Sequence, residues 1–339
     1  MTVIASTGPS TRPEDGIVRP RARVVTLTPS PAIDRLYVVD AVLPDEVNRA
    51  RDVRWFLSGK GVNVARNLAR VGGGALAVTP LAEREHHLLV EERLYRIVPT
   101  TRPTRVNTVV VSRSGSTMNV NEHARPMPAD EWDGIVAATI AAVQERRAHW
   151  LVVAGSIPAR ADGTGGQDPR ALVAGARAVG ARVCLDSGGP TLRAWLEAGA
   201  APDLVKPNAA ELADAVGRPV TTVGEAVDAA RELVDRGAVA VLASLGGSGA
   251  VHVTADGSLW GRPPRVEVVN TTGAGDAALA GFVADLDGEA DVDTLAAAMR
   301  RAVAWGAHAV ATFEAVPPNH AELPGVVVDE PPRDLPVEA

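Results

Sequence analysis

From Trp150 onward the chain alternates short β-rich runs with helical patterns, and this alternation restricts the fold more than any other feature. "WLVVAGS" at 150–156 precedes a helical pattern near 168–179, and "RVCLD" at 182–186 precedes one near 190–198. "DLVKPN" at 203–208 leads into two more, near 208–216 and 223–236, before "AVAVLAS" at 238–244. Apolar runs of this length separated by helices predict right-handed crossovers and a mostly parallel sheet covered on both faces, which is a doubly wound α/β domain. With 339 residues, 46% of them hydrophobic, the chain can bury a core of that size.

Two stretches depart from the alternation. Leu36 to Leu57 and Arg105 to Asn121 are strand-like, with the helical "GVNVARNLARVGG" between them. They predict a small β-sheet lying over one edge of the main domain as a lid; the plainer alternative is two further strands of the main sheet. Residues 1–20, rich in Pro, Ser, Thr and Arg, read as a disordered or loosely strapped extension, and residues 316–339 as a Pro-rich acidic tail. The main domain is expected over 21–315, and neither end is expected to carry chemistry.

Charge and cysteine usage exclude several function classes. A net charge of -7 argues against a nucleic-acid partner, although a local basic pocket for a phosphorylated small molecule stays compatible with it. A single cysteine, Cys184, excludes an intramolecular disulfide and a cysteine-based zinc cluster. The sequence has no run of about 18 apolar residues and no signal-like segment, so no membrane association and a cytoplasmic location are expected.

"VEVVNTTGAGDAALAGFV" at 266–283 carries the sharpest chemical signal. Val266, Val268 and Val269 read as a strand, and Leu279, Phe282, Val283 and Leu286 follow helical spacing, so Gly273 and Gly275 sit at a strand-to-helix handover. Such a turn presents free amides and a helix dipole to an anion. It is not a Walker A loop, since no Lys-Ser/Thr follows the glycines. It loosely fits G-x-G-x-x-A, but Asp276 would then face a pyrophosphate, which its charge disfavours. An acid there suits a hydroxyl better: in phosphoryl transfer an aspartate accepts the alcohol proton while backbone amides stabilise the moving group. On this reading Asp276 stays ionised with an ordinary pKa of about 3.9. The alternative is an N-terminal-turn Asp that only stabilises its own helix.

"FLSGKGVNVARNLARVGG" at 56–73 supplies a second Gly-rich turn entering a helix. Val64, Leu68 and Val71 form its buried stripe; Asn63, Arg66, Asn67 and Arg70 share the other face. Gly59 and Gly61 allow close backbone approach, Asn63 offers donor and acceptor to vicinal hydroxyls, and Lys60 can attract a phosphate. Arg66 and Arg70 read as a solvated face.

These two blocks, with "DLVKPNAAEL" at 203 and "VLASLGGSGAV" at 241, together resemble the ribokinase-like, PfkB-type carbohydrate kinases, in order from about Val24 to about Val310. "TLTPSPAIDRLYVVD", "DEVNRAR", "TRVNTVVV" and "VCLDSGGPTLRAWL" are similar to the 1-phosphofructokinase and tagatose-6-phosphate kinase branch. The resemblance implies a ribokinase-like fold and ATP-dependent, magnesium-requiring phosphorylation of a ketohexose phosphate, with fructose 1-phosphate going to fructose 1,6-bisphosphate. Tagatose 6-phosphate, fructose 6-phosphate, another sugar, or a non-catalytic sugar-phosphate-binding relative are the alternatives. It further implies Asp276 as catalytic base and Gly273, Ala274 and Gly275 as anion hole. Asp34, Gly59, Lys60 and Asn63 become sugar-side residues, and Arg105 the arginine on the sugar's existing phosphate. Lys206 and Asn208 fall in the ATP-phosphate block, with Asn208 and Glu211 reaching magnesium through water, and Ser244, Gly246 and Gly249 in the nucleotide turn. A homodimer through the lid is implied by the same analogy.

Three places depart from the family pattern. Ser58 precedes Gly59 where a Gly-Gly pair is common, and Asn270 stands where many relatives have Asp or Ser. "LAVTPLAEREHHLL" at 76–89 lacks the expected Gly-Gly loop and is several residues short, which bears on the acceptor pocket. Its "EREHH" does not have the H-E-x-x-H spacing and reads as a solvated helix face, and Gly246 to Ala250 misses the hydrolase elbow at its last position.

Overall fold

The computed structural model describes residues 21–338 except Val90, residues 113–116, Phe313 and residues 321–322. The extension expected over 1–20 lies outside the described residues. In chain order the strands and helices are β1 Arg23–Leu27, β2 Ala32–Val39, β3 Asp52–Ser58, α1 Lys60–Arg70, β4 Gly74–Leu81, β5 Tyr95–Pro99, β6 Arg105–Ser112, β7 Thr117–Asn121, α2 Ala129–Arg146, β8 Trp150–Ala154 and α3 Arg170–Ala178. They continue as β9 Arg182–Asp186, α4 Gly189–Glu197, β10 Leu204–Val205, α5 Ala209–Val216, α6 Val223–Asp235, β11 Ala240–Ser244, β12 Ala250–Thr254, β13 Ser258–Arg262, α7 Ala274–Val283, α8 Val292–Val310 and β14 Val327–Asp329.

Ten strands form one sheet in the order β14-β13-β12-β11-β10-β9-β8-β1-β4-β5. It is parallel from β5 to β11 and antiparallel at the β12 to β14 edge. The central strands are apolar on both faces because both faces are covered. Val25, Leu27, Leu151 and Val153 pack with Trp132, Leu172, Trp195 and Leu212 from α2 to α5. Val24, Trp150 and Val152 pack oppositely, with Leu68, Leu279, Phe282 and Met299 from α1, α7 and α8. The doubly wound α/β architecture is therefore present, with its helices divided between two layers.

The two strand-like excursions pair with one another rather than with the main sheet. They make a separate four-stranded sheet in the order β3-β2-β6-β7, in which β2 and β6 run parallel. Asp34, Leu36, Phe56 and Val109 occupy one face of it, and the alternate residues Tyr37, Val53, Trp55 and Val110 the other.

The structure adds to or departs from the sequence pattern in three places. Val266 to Val269 is not a strand: the amides of Val269 and Asn270 both donate to the carbonyl oxygen of Val310, at 2.7 and 3.0 Å, so the end of α8 takes the partners a sheet would have supplied. The described part of the short 76–90 connection forms no α-helix; β4 runs into a 3₁₀ turn, Glu83–Leu88, whose Glu83, Arg84, His86 and His87 are exposed while Glu85 turns inward and accepts from the Thr104 hydroxyl at 2.5 Å. The Pro-rich tail is docked. β14 pairs with β13, Leu335 and Val337 pack on the core, and the Val337 amide donates to the Thr221 carbonyl at 2.8 Å.

Candidate active site

The polar residues of interest gather where the parallel strands end, the edge at which open α/β sheets expose their loops and helix N-termini. Thr28 follows β1, Asp186 ends β9, Lys206 follows β10 and Ser244 ends β11; Lys60, Asn208 and Asp276 open α1, α5 and α7.

Close backbone approach explains the glycines. Gly59 has φ 144° and Gly61 opens α1 against β1; a Cβ on either would lie 2.6 Å from the Thr28 side chain. Thr28 Oγ1 accepts from the Val62 amide at 3.0 Å, satisfying one of the orphan donors of the helix start. Gly273, the N-cap of α7, has φ 83°, and a Cβ there would overlap the Ala315 carbonyl oxygen. Gly275 faces Lys206: its Cβ position lies 3.1 Å from Nζ.

Asp276 is 6% exposed, and its Oδ2 accepts from Asn63 Nδ2 at 2.8 Å, joining α7 to α1 across 213 residues. Its pKa is pushed up to about 7, chiefly by burial and then by the Asp186 carboxylate; Lys60, Asn63 and Lys206 pull the other way and do not win. This corrects the expectation of an ordinary, freely ionised aspartate. A carboxylate poised near neutrality has the proton affinity wanted of a general base.

Asp186 was given no role by the sequence, yet it is the electrostatic centre. It is fully buried, with Oδ1 2.7 Å from Lys60 Nζ and Oδ2 3.2 Å from Lys206 Nζ. Burial raises its proton affinity, but the two ammonium groups outweigh that and hold the carboxyl below its ordinary range. Lys60 also reaches Glu211 Oε1 at 3.4 Å. For Lys60, burial would favour the neutral amine, and the carboxylates of Asp186, Glu211 and Asp276 overcome it, holding the side chain charged. Lys60 thus faces the α5 block as much as Asn63. An acid that terminates a buried strand at the carboxyl edge of a parallel sheet was the available signal for Asp186.

Asn208 caps α5 in a reciprocal box: its Oδ1 accepts from the Glu211 amide at 2.8 Å and its own amide donates to Glu211 Oε2 at 2.9 Å. Among the described residues no group of three or more His, Cys, Asp and Glu is placed to grip a metal ion. The Asn208 and Glu211 oxygens are the hard donors magnesium takes, and being tied to each other they suit an ion reached through its own water shell. Ser244 lies beside this pair, its amide donating to the Pro207 carbonyl at 3.0 Å. Gly246 and Gly249 follow with φ 59° and 89°. The tail closes on this turn: Ser248 Oγ donates to the Pro336 carbonyl at 2.8 Å and accepts from the Glu338 amide at 2.9 Å.

A cavity of about 300 Å³ opens between α1, the inner face of the small sheet and the 314–316 segment. Asp34, Asn63, Phe56, Asn270 and Thr272 line it, and so do Arg54, Arg66 and Arg70, so Arg66 is not on a solvated face. Asp34 accepts from Asn107 Nδ2 at 3.0 Å, and burial raises its pKa against the pull of Ser58, Asn107 and Arg105. Arg105 stands at the edge of this cavity, its charge acting on Asp34. It lines a smaller cleft with Ser30, Arg102 and Arg125, and donates to the carbonyl oxygens of Glu122 at 2.9 Å and Ser30 at 3.4 Å.

Comparison with known proteins bears on what this edge does. Residues 28–322 match the family described as pfkB family carbohydrate kinase. The 1-phosphofructokinase of Rhodobacter capsulatus is 36% identical over 270 residues, covering 77% of this chain and 83% of that protein. That of Haloferax volcanii is 35% identical over 280 residues, covering 80% and 87%. Among solved structures, phosphofructokinase-2 from Escherichia coli in complex with fructose-6-phosphate superposes with a TM-score of 0.73 at 29% identity, covering 85% of this chain and 94% of the other.

Proposed function

The chain belongs to the pfkB family of carbohydrate kinases, and on that footing we propose that it transfers the terminal phosphoryl group of ATP to a free hydroxyl of a ketohexose phosphate, converting fructose 1-phosphate to fructose 1,6-bisphosphate. Relatives named 1-phosphofructokinase, at 29 to 36% identity, support the choice of acceptor.

The observation that carries the mechanism is the Asn63–Asp276 hydrogen bond beside the Gly273 turn. Asn63 fixes one carboxylate oxygen of Asp276 and leaves Oδ1 to take the proton of the attacking hydroxyl. The first amides of α7 have no carbonyl of their own helix to bond; that of Ala274 makes only a long bond to the Thr271 carbonyl at 3.4 Å, and with those of Gly273 and Gly275 it serves the charge developing on the transferred group. Lys206, against Gly275, and Lys60, held by Asp186, add positive charge on the nucleotide side. Burial keeps these fields strong because little water competes with them. Magnesium, held through water by Asn208 and Glu211, would neutralise charge on the ATP phosphates. Ser244, Gly246 and Gly249 shape the nucleotide turn, Asp34, Gly59 and Asn63 hold the sugar, and Arg105 stands at its rim.

A homodimer through the small sheet belongs to the same reading. Val53, Trp55, Met118 and Val120 of its outer face are 44%, 49%, 45% and 58% exposed, an apolar patch suited to a second copy. Val120→Asp is expected to shift sedimentation to monomer; unchanged sedimentation as a dimer would remove this face from the interface. No described helix is long and apolar enough to cross a membrane, and a cytoplasmic location is part of the proposal.

The test is an ADP-release assay across fructose 1-phosphate, tagatose 6-phosphate, fructose 6-phosphate and free sugars. Fructose 1-phosphate is expected to give the highest kcat/KM. A higher value for another sugar replaces the substrate, and binding without turnover on any of them leaves a non-catalytic relative.

A further inference from the structure

No chemistry is expected of the Pro-rich tail from its composition, yet it is bonded to the nucleotide side of the molecule. Residues 323–338 lie beyond the stretch that matches the family, which ends at residue 322. β14 adds the tail to the edge of the main sheet, and the chain then crosses to the start of α6. There the Val223 and Gly224 amides, two of the donors that a helix leaves free at its start, bond the carbonyl oxygens of Leu335 and Arg333, both at 2.9 Å. The Arg333 side chain adds an ion pair to Asp228 at 2.7 Å, and Leu335 and Val337 pack on the core.

From α6 the tail passes to the turn between β11 and β12. Ser248 of that turn is 2% exposed, and its hydroxyl is fully engaged by the tail, donating to the Pro336 carbonyl and accepting from the Glu338 amide. Its carbonyl accepts from Trp260 Nε1 at 2.8 Å, so the residue is held from two sides. Gly247 lies against the Glu338 side chain: a Cβ there would overlap Glu338 Oε2. The turn needs such support. Three of the four residues at 246–249 are glycine, and Gly246 and Gly249 have φ 59° and 89°, so the free segment has many conformations to lose when it orders around a ligand. A tail that fixes Ser248 removes part of that cost before the ligand arrives.

Resting on the kinase reading above, in which this turn meets the nucleotide, we infer that the tail is an intramolecular strap that sets the affinity for ATP, with Ser248 as the positioning residue through which it holds the turn. Tail docking and nucleotide binding are then coupled, and each strengthens the other by the same factor.

The experiment compares the wild-type chain with Ser248→Ala, with a chain shortened after Glu330, and with Ser248→Ala in the shortened chain. The Kd for ADP with magnesium is measured by calorimetry, with KM for ATP and for fructose 1-phosphate and melting temperature as a folding control. Loss of two neutral hydrogen bonds and of the order they impose predicts a rise of about 5- to 20-fold in the Kd for ADP and KM for ATP on shortening, and of about 3- to 10-fold in Ser248→Ala. KM for fructose 1-phosphate is expected to stay within about twofold. Because the tail acts through Ser248, the substitution adds nothing in the shortened chain. Reciprocity further requires that saturating ADP slow hydrogen exchange at the Val337 and Glu338 amides by the factor lost on shortening, which a tail with a structural role alone would not show. If the shortened chain does not fold, Ser248→Ala and the exchange measurement decide. Nucleotide binding unchanged or tightened by these changes, an equal rise in both KM values, or exchange indifferent to ADP overturns the inference and leaves the kinase reading intact. Tail-dependent binding of ADP without turnover keeps the strap and removes the reaction. Absence of both nucleotide binding and turnover in the wild type overturns both.

Discussion

Replacing Asp276 by Asn should stabilise the protein while abolishing its activity, and the gain should depend on pH. Folding raises the proton affinity of Asp276 from its ordinary 3.8 to about 7, so the folded state resists ionising a group that the unfolded chain ionises freely. Below pH 3.8 both states hold the proton and the residue costs nothing; between 3.8 and 7 only the unfolded state releases it, and stability falls as pH rises. Above 7 the penalty is complete. At about 1.4 kcal/mol for each tenfold change in proton affinity, it amounts to about 4 kcal/mol at pH 8.5 and less than half of that at pH 5. Relaxation of Lys60, Lys206 and Asp186 around an uncharged neighbour reduces the recoverable part to about 2–3 kcal/mol at pH 8.5, or roughly 3–4 °C in Tm for a chain of 339 residues. Asn at 276 still offers an oxygen to Asn63, so the junction between α1 and α7 survives. The assay is thermal unfolding of both proteins from pH 5 to 8.5, with ADP release measured on the same samples. A difference in Tm that is constant with pH, or a variant less stable at pH 8.5, would refute the buried-carboxylate argument; undiminished turnover would refute the base.

The same proton affinity predicts that kcat/KM rises tenfold per pH unit and levels near pH 7, because Asp276 must be ionised to accept a proton; a limb below pH 5.5 in the pH–rate profile would contradict it. Asp186→Asn leaves Lys60 and Lys206 without their shared counter-charge and should cost about 3–5 kcal/mol in denaturant unfolding. It should also move the acid limb of the surviving activity to lower pH, since a negative charge near Asp276 is gone; a shift upward would show that another group controls the limb. Gly273→Ala forces a side chain into φ 83° against the Ala315 carbonyl and should lower stability by at least about 2 kcal/mol, with turnover falling as the amides of the turn are displaced. Wild-type melting and kinetics in that variant would mean the turn is not held as described.

How much of this was legible in the chain depends on whether a feature is local. The alternation beyond Trp150 gives the sheet because period and helix spacing are properties of short windows, and the reciprocal cap at Asn208 and Glu211 is a three-residue pattern. Val266 to Val269 misled because β-branched residues mark a preference for extended backbone, whereas a strand also needs a neighbour, and here α8 takes the hydrogen bonds. Arg66 was misassigned for a related reason. Helical spacing puts it on the face of Asn63, but whether that face meets water or the small sheet is decided by pairing between segments about 70 residues apart. Asp186 escaped because its partners at 60 and 206 come from different crossovers, and no spacing in the chain announces that they converge.

Asp186 also explains why Asp276 can hold a proton near neutrality. Two ammonium groups close to a buried carboxylate would by themselves drive its pKa far down and make it a poor base. Asp186 takes one ammonium on each oxygen and adds its own repulsion, which works in the same direction as burial. On the proposed reading, Lys60 remains charged toward an anionic donor, while the carboxylate 276 keeps enough proton affinity to serve the acceptor. Charge of one sign for the phosphates and basicity for the hydroxyl conflict within so small a volume. A third residue, buried at the end of β9, separates the two requirements.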